Sequence, residues 1–178
     1  KLYAVNQVSF SLKKGECLGI VGESGCGKST LARMVAGITP VSGGEILLEG
    51  LDYLSLKGTR KRQFRRNIQM VFQDPLSSFS PRMKVGTYLM EARRNFDGIS
   101  KEEGLKEAGE LLQEVGLPPE FVNRYPHELS GGQLQRVAIA RAISVQPKLL
   151  ICDEATGALD VSIQNQIAQL LVKLVEEK

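Results

Sequence analysis

The stretch Gly22-Glu23-Ser24-Gly25-Cys26-Gly27-Lys28-Ser29 decides how the rest of the chain is interpreted. It fits the pattern G-x-x-x-x-G-K-[ST], whose glycines let backbone N–H groups approach the phosphates of a nucleotide. Residues 17–21 before it are predicted to form a strand, and residues 29–37 after it a helix. That helix would direct the positive end of its dipole at the same phosphates. A plain glycine turn would not need this setting, so the stretch predicts a nucleotide-binding loop.

The side chains of this phosphate loop have distinct predicted roles. Lys28 would reach the β- and γ-phosphates, and the hydroxyl of Ser29 would ligate Mg²⁺. Cys26 stands near this lysine and a helix N-terminus, surroundings that lower the pKa of a thiol, so redox control of ATP binding is one interpretation. The plainer one is a small residue that the loop tolerates. The predicted nucleotide contacts of the loop are Gly22, Glu23, Ser24, Gly25, Cys26, Gly27, Lys28, Ser29 and Thr30.

Length and composition favour one globular domain. The chain has 178 residues, of which 42% are hydrophobic and 24% charged, close to the average of folded domains. Its longest apolar runs, Cys17–Val21 and Leu149–Cys152, are far shorter than the ~20 residues that span a bilayer. The first residues show no charged leader followed by an apolar segment, so a cytoplasmic location is expected. The cysteines lack the spacing of a disulfide framework or a zinc site.

The order of the predicted elements indicates an α/β fold with a mostly parallel sheet. A turn at Lys14-Gly15 joins two strands, so an antiparallel β portion is expected at the N-terminus. Because the chain ends after a helix, where such a sheet would continue into another strand, it looks truncated at its C-terminus. Strands are predicted at 8–12, 17–21, 45–49, 68–72 and 148–152, and helices at 29–37, at 133–145 and from 161 onward.

A helical insert interrupts this α/β order. Between residues 75 and 129 the strand patterns largely vanish and apolar residues recur at helical spacing. We therefore divide the single domain into a core, residues 1–74 and 130–178, and a helical subdomain, residues 75–129. The apolar residues in helical register are Leu105, Ala108, Leu111, Leu112 and Val115.

Two carboxylates follow the apolar run at 149–152. The carboxyl ends of parallel strands form the edge where ligands bind in open α/β sheets, so Asp153 and Glu154 are candidate site residues. Asp153 would hold Mg²⁺, and Glu154 would polarise the attacking water. The alternative is a pair of carboxylates that only begins a helix, which alone would be nearly as good an interpretation.

The segment Ser130-Gly131-Gly132-Gln133 opens the helix predicted at 133–145. Ser130 with Gln133 three residues later is the pattern of a capping box. The two glycines weaken the first helical turn, but they let backbone N–H groups approach an anion. A cap and a phosphate-binding site are compatible, so all four residues are candidate nucleotide contacts.

Taken together, the motifs resemble those of the ATP-binding-cassette (ABC) ATPases, which have a P-loop NTPase core of the RecA-like kind. Their order and spacing agree across nearly the whole chain. Four segments resemble more narrowly the dipeptide, oligopeptide and nickel importer ATPases, and they are Val21–Arg33, Arg65–Pro75, Arg124–Arg136 and Leu149–Gln164. The motifs that carry the broader resemblance are the phosphate loop, Gln73, Leu129–Gln133, Asp153-Glu154 and Ala158-Leu159-Asp160.

The resemblance implies an ATP-hydrolysing importer subunit that binds ATP and Mg²⁺ at the cytoplasmic face of a membrane. Two such subunits, identical or different, would pair head to tail and drive transmembrane permease subunits. The Leu129–Gln133 signature of one subunit would then close on the γ-phosphate held by the other. Gln73 would contact Mg²⁺ and sense the membrane partner, Asp160 would cross the interface, and Tyr3 is a candidate for stacking on adenine.

Three features depart from the family pattern. Gly157 stands where a serine is usual, the family's switch histidine would lie beyond Lys178, and Tyr3 falls close to the phosphate loop for a residue that stacks on adenine. The single histidine, His127, is expected to be a surface or packing residue. Without the switch histidine, a nucleotide-binding module without turnover is one alternative. The other is a non-transport ABC ATPase acting on nucleic acid or the ribosome, indicated only by the basic run Arg60–Arg66. This run is more typical of a solvated helix face, so no nucleic-acid partner is expected.

Overall fold

The computed structural model describes residues 3–76, 79–154 and 161–177. Helices and strands alternate in the order that the sequence predicts for an α/β domain. Short 3₁₀ turns at Tyr53–Ser55, Arg65–Asn67, Pro119–Asn123 and Pro126–Glu128 join some of them. The elements are α1 (Lys28–Val35), β1 (Leu47–Leu48), β2 (Leu51–Asp52), α2 (Gly58–Phe64), β3 (Ile68–Val71), α3 (Val85–Asp97), α4 (Lys101–Glu114), α5 (Gly131–Ile143), β4 (Leu149–Cys152) and α6 (Val161–Glu177).

The parallel pair β3–β4 is the framework of the site. Its register places Val71 opposite Cys152, and the N–H of Asp153 donates to Val71 O at 3.0 Å, one residue beyond β4. Both strands therefore end at the same edge, as the predicted strands at 68–72 and 148–152 require. The helices predicted at 29–37, at 133–145 and from 161 onward are confirmed as α1, α5 and α6.

The predicted strands at 8–12 and 17–21 are wrong. The turn between them forms, with Gly15 at φ +79° and Glu16 N–H donating to Lys13 O at 3.1 Å. No described residue completes a strand ladder with either segment, and Val21 is 93% exposed. Alternating apolar residues indicate a preference for extended backbone. A strand forms only where that backbone also pairs with a neighbouring strand. The strand predicted at 45–49 is reduced to β1, paired antiparallel with β2.

The hydrophobic core is formed mainly by the helices and includes Val71 of β3. Leu89 of α3, Leu112 of α4 and Val137 of α5 are fully buried, and Ile167 of α6 joins them. Helical spacing in the predicted insert is confirmed, because the same face of α4 buries Ala108 and Leu112. This cluster runs through both predicted subdomains, so their division stays a prediction. Over the described ranges, no helix has the length and apolarity needed to cross a membrane.

Candidate functional site

The phosphate loop leads directly into α1. Gly27 precedes the helix in the left-handed region, at φ +102°, and its carbonyl accepts from Leu31 N–H at 2.9 Å. A Cβ atom at Gly27 would lie 2.3 Å from the carbonyl oxygen of Ala4. Glycine is therefore required at this position both by backbone conformation and by the close approach of the N-terminal segment. Tyr3, the residue before Ala4, is 65% exposed.

Lys28 folds back over this loop. Its Nζ donates to Gly22 O and to Glu23 O, both at 2.8 Å, and lies 4.0 Å from the Sγ of Cys26. The ammonium charge is thus held above the loop backbone rather than extended into solvent. Oxygen atoms of a phosphate could replace these two carbonyl acceptors at the same position.

Ser29 joins the start of α1 to the end of β4. Its Oγ donates to Oδ1 of Asp153 at 2.8 Å, and the residue Asp153 is only 7% exposed. The backbone of Asp153 is fixed by its N–H, which donates to Val71 O of β3. The glycine-rich motif and the strand-end carboxylate, far apart in sequence, thus meet in one place.

Gln73 and Glu154 meet beside this contact. Gln73 follows β3, Glu154 follows β4, and Nε2 of the amide donates to Oε2 of the carboxylate at 2.6 Å. Glu154 has φ +46°, a left-handed conformation that is uncommon for residues other than glycine. The structure therefore gathers Ser29, Gln73, Asp153 and Glu154 at one edge of the sheet.

The oxygens at this edge suit Mg²⁺. A hydroxyl, an amide oxygen and a carboxylate are hard ligands, and Mg²⁺ commonly takes one or two carboxylates together with substrate phosphates. Neighbouring ligands of an octahedral Mg²⁺ are about 2.9 Å apart, close to the 2.8 Å between Ser29 Oγ and Asp153 Oδ1. Because the amide nitrogen of Gln73 is used by Glu154, its oxygen remains the atom available to a metal. These three residues fit the ion.

The Ser130–Gln133 segment forms the predicted capping box. Gln133 N–H donates to Ser130 Oγ at 3.3 Å, and Ser130 N–H donates to Gln133 Oε1 at 3.0 Å. Gly131 is exposed and Gly132 is buried. Throughout the described ranges, no hydrogen bond joins this cap to the phosphate loop of the same chain. The structure therefore does not bring these two sets of predicted nucleotide contacts together.

Some residues near the site were missed by sequence reasoning, and others lie outside the described residues. Tyr53 was missed, although its hydroxyl donates to Met34 O and Val35 O at the end of α1. An isolated aromatic in a loop gives no sequence signal for such a contact. His127 stacks on Tyr125 at 5.7 Å, as expected of a packing residue. Gly157 and the predicted Ala158-Leu159-Asp160 motif lie outside the described residues.

Comparison with known proteins identifies the class. A family model described as ABC transporter matches residues 5–157, so the chain belongs to this family. The solved post-hydrolysis dimer of the ATP-binding cassette MJ0796, bound to ADP and Pi, superposes with a TM-score of 0.86. It is 35% identical, and the match covers 98% of this chain and 76% of that one. The α/β fold expected from the sequence is therefore that of an ABC cassette.

Several similar curated proteins are named as parts of peptide transporters. The oligopeptide transport ATP-binding protein OppF of Salmonella typhimurium is 48% identical over 177 residues, which cover 99% of this chain and 53% of that protein. AppF of Bacillus subtilis, named likewise, is 50% identical over 98% of this chain and 53% of its own length. The chain thus spans about half the length of the curated relatives it matches.

Proposed function

We propose that this chain is the ATP-binding and ATP-hydrolysing part of an ABC importer subunit. The observation that carries the proposal is the Ser29–Asp153 hydrogen bond of 2.8 Å, which joins the phosphate loop to the strand-end carboxylates. The relatives' names support peptides as the transported solute. Nickel or other metal chelates are the second solute class, supported only by the sequence resemblance. The subunit would work with transmembrane permease subunits at the cytoplasmic face of the membrane.

ATP would be held by the backbone of the phosphate loop. The N-terminus of α1 has no side-chain cap, so a polyphosphate bound there would satisfy N–H donors that the helix itself leaves unpaired. Lys28 would exchange its two carbonyl acceptors for phosphate oxygens. The triphosphate charge is then met by the lysine and the helix dipole together.

Glu154 would be the general base of the reaction. The exposed carboxylate is held by Gln73 through Oε2, which leaves Oε1 as the acceptor for a proton of the attacking water. Ser29, Gln73 and Asp153 would hold Mg²⁺, which when bound neutralises charge on the β- and γ-phosphate oxygens. The division of roles follows from burial, because Asp153 is buried against α1 whereas Glu154 faces solvent.

A second subunit would complete the site. The N-terminus of α5, capped by Ser130, is a ready site for anionic oxygen, yet in this chain it makes no hydrogen bond to the described part of the phosphate loop. The dimeric state of the similar ATP-binding cassette supports a pair of subunits, and the resemblance to the family implies that each signature faces the other subunit's nucleotide. Such a pair could be a homodimer or a heterodimer.

Two substitutions test this function. Glu154→Gln should lower phosphate release by about 10²-fold or more, since it removes the base, while Mg²⁺-ATP still binds. Lys28→Ala should lower nucleotide affinity by about tenfold or more, since a charged hydrogen-bond partner of the phosphates is lost. Phosphate release and binding of a fluorescent ATP analogue are measured with Glu110→Gln and Lys106→Ala as controls, because both side chains are exposed on α4.

The controls separate the possible outcomes. Normal phosphate release by both site variants would refute the roles proposed for Glu154 and Lys28. ATP binding by the unsubstituted chain without any phosphate release would instead favour a nucleotide-binding module without turnover. Salt-sensitive binding of nucleic acid would favour the non-transport alternative.

A further inference from the structure

The signature end of α5 packs directly on α6. A Cβ atom at Gly132 would lie 2.8 Å from Cγ2 and 3.4 Å from Cδ1 of Ile163. Real Cβ atoms do not approach that closely, so the side chain of Ile163 occupies the space that any other residue at 132 would need. The second glycine of the signature is therefore required by packing, independently of any approach to a nucleotide.

A hydrogen bond repeats this contact one helical turn later. Nη2 of Arg136 donates to Oε1 of Gln166 at 2.8 Å, and Nη1 donates to Val115 O at 2.8 Å. A Cβ atom at Gly116 would lie 3.0 Å from Nη1, so the guanidinium fills the space beside the end of α4. The planar guanidinium thus ties α5 to α4 on one side and to α6 on the other.

We propose that Ile163 and Gln166 are positioning residues for the signature, an inference that rests on the proposed function. Through these two contacts, α6 sets how the first turn of α5 presents Ser130–Gln133 to the second subunit. The same helix follows Glu154 in the chain with only residues 155–160 between them. In the proposed pair, Glu154 acts on the nucleotide of its own subunit and the signature faces the nucleotide of the second subunit. Helix α6 therefore joins residues that serve two different nucleotides.

A compensating pair of substitutions tests the packing contact. In a Glu154→Gln parent, sedimentation velocity measures the ATP concentration that gives half-maximal dimer. Gly132→Ala should raise this concentration by about tenfold or more, because the new methyl group displaces α5 from α6. Adding Ile163→Ala removes the opposing methyl groups and should return it to within about threefold of the parent. If Gly132 served only the approach to nucleotide, the second substitution would restore nothing.

A milder variant tests the hydrogen bond without threatening the fold. Gln166→Ala should raise the same ATP concentration by about threefold, since one hydrogen bond to a charged group is lost. Gln169→Ala is the matched control, because Gln169 is exposed one turn further along α6. Nucleotide affinity of the monomer should be the same in both variants, which a general structural defect would not allow.

The outcomes separate the inference from the proposed function. A parent that does not dimerise with ATP would overturn both. A parent that dimerises while the double variant remains as impaired as Gly132→Ala would overturn the inference alone. If circular dichroism shows that Gly132→Ala is unfolded, the glutamine variants decide, and equal dimerisation by Gln166→Ala and Gln169→Ala refutes the positioning role.

Discussion

Tyr53 shows how a single hydroxyl can hold the helix that follows the phosphate loop. The residue is 3% exposed, and its hydroxyl donates to Met34 O at 2.9 Å and to Val35 O. The last carbonyls of a helix have no partner within the helix. Met34 O also accepts from Gly37 N–H at 3.0 Å, so the hydroxyl of Tyr53 matters most for Val35 O. Burial, together with the nearby charge of Asp52, raises the pKa of Tyr53 to about 12.

Tyr53→Phe should lower the free energy of unfolding by about 1 kcal/mol, because Val35 O at the end of α1 loses the hydroxyl that donates to it. Urea denaturation at neutral pH measures the difference. The effect should also depend on pH. The unfolded tyrosine loses its proton near pH 10.0, whereas the folded one keeps it until about pH 12. The stabilising contribution of Tyr53 is therefore complete below pH 10 and is lost as the pH rises toward 12.

The comparison of the two proteins isolates this contribution. Other groups that titrate at high pH affect both proteins alike, so the difference between the two stability curves reports on Tyr53. A difference that stays constant from neutral pH to pH 12 would show that the hydroxyl titrates equally in the folded and unfolded states.

At the scale of elements, the carboxylate of Asp97 connects α3 with the 3₁₀ turn that precedes β3. Asp97, the last residue of α3, accepts from Nη1 of Arg66 at 2.5 Å and from Arg93. Arg93 also pairs with Glu107 of α4 at 3.0 Å, and Nε of Arg66 donates to Val145 O at 3.1 Å. Part of the basic run noted in the sequence is thus used by the fold itself.

Asp97→Asn should lower the free energy of unfolding by about 1 kcal/mol, since two partly buried arginines lose a charged partner. The loss should shrink at high salt, because ions screen what remains of the pairing. Urea denaturation at low and high salt measures both effects. Glu49→Gln serves as the control, because it removes the more exposed ion pair with Lys148 and should cost much less. Equal losses in the two variants would show that Asp97 contributes no more than a surface charge.

At the scale of the whole molecule, protection should be uneven. The helical core buries α5 completely along one face, whereas residues 3–26 form no strand in the structure and expose apolar side chains. Amide hydrogen exchange should therefore be slowest in α5 and faster by a factor of about 10² or more at residues 17–21. Mass spectrometry of exchanged peptides measures the difference. Strong protection at 17–21 would mean that these residues pair in a ladder, as their sequence pattern predicts.

The sequence predicted what depends on neighbours along the chain. The phosphate loop, the cap at Ser130 and the carboxylates after β4 each give a local pattern, so their positions could be predicted. Contacts between distant segments gave no pattern. The contact of Tyr53 with α1 and the fit of Gly132 against Ile163 depend on how helices pack. Strand pairing depends on a partner strand elsewhere in the chain, which an alternating pattern does not identify.

The left-handed backbone conformation of Glu154 has a consequence for directed evolution of this protein. Holding an ordinary L-residue at φ +46° costs about 1 kcal/mol, and glycine or asparagine relieves much of that strain. Glycine has no side chain and the asparagine amide is not a base, so neither residue could accept the proton that the proposed mechanism assigns to the carboxylate. A screen that rewards only heat resistance would therefore enrich glycine or asparagine here and return a robust protein that holds nucleotide without consuming it.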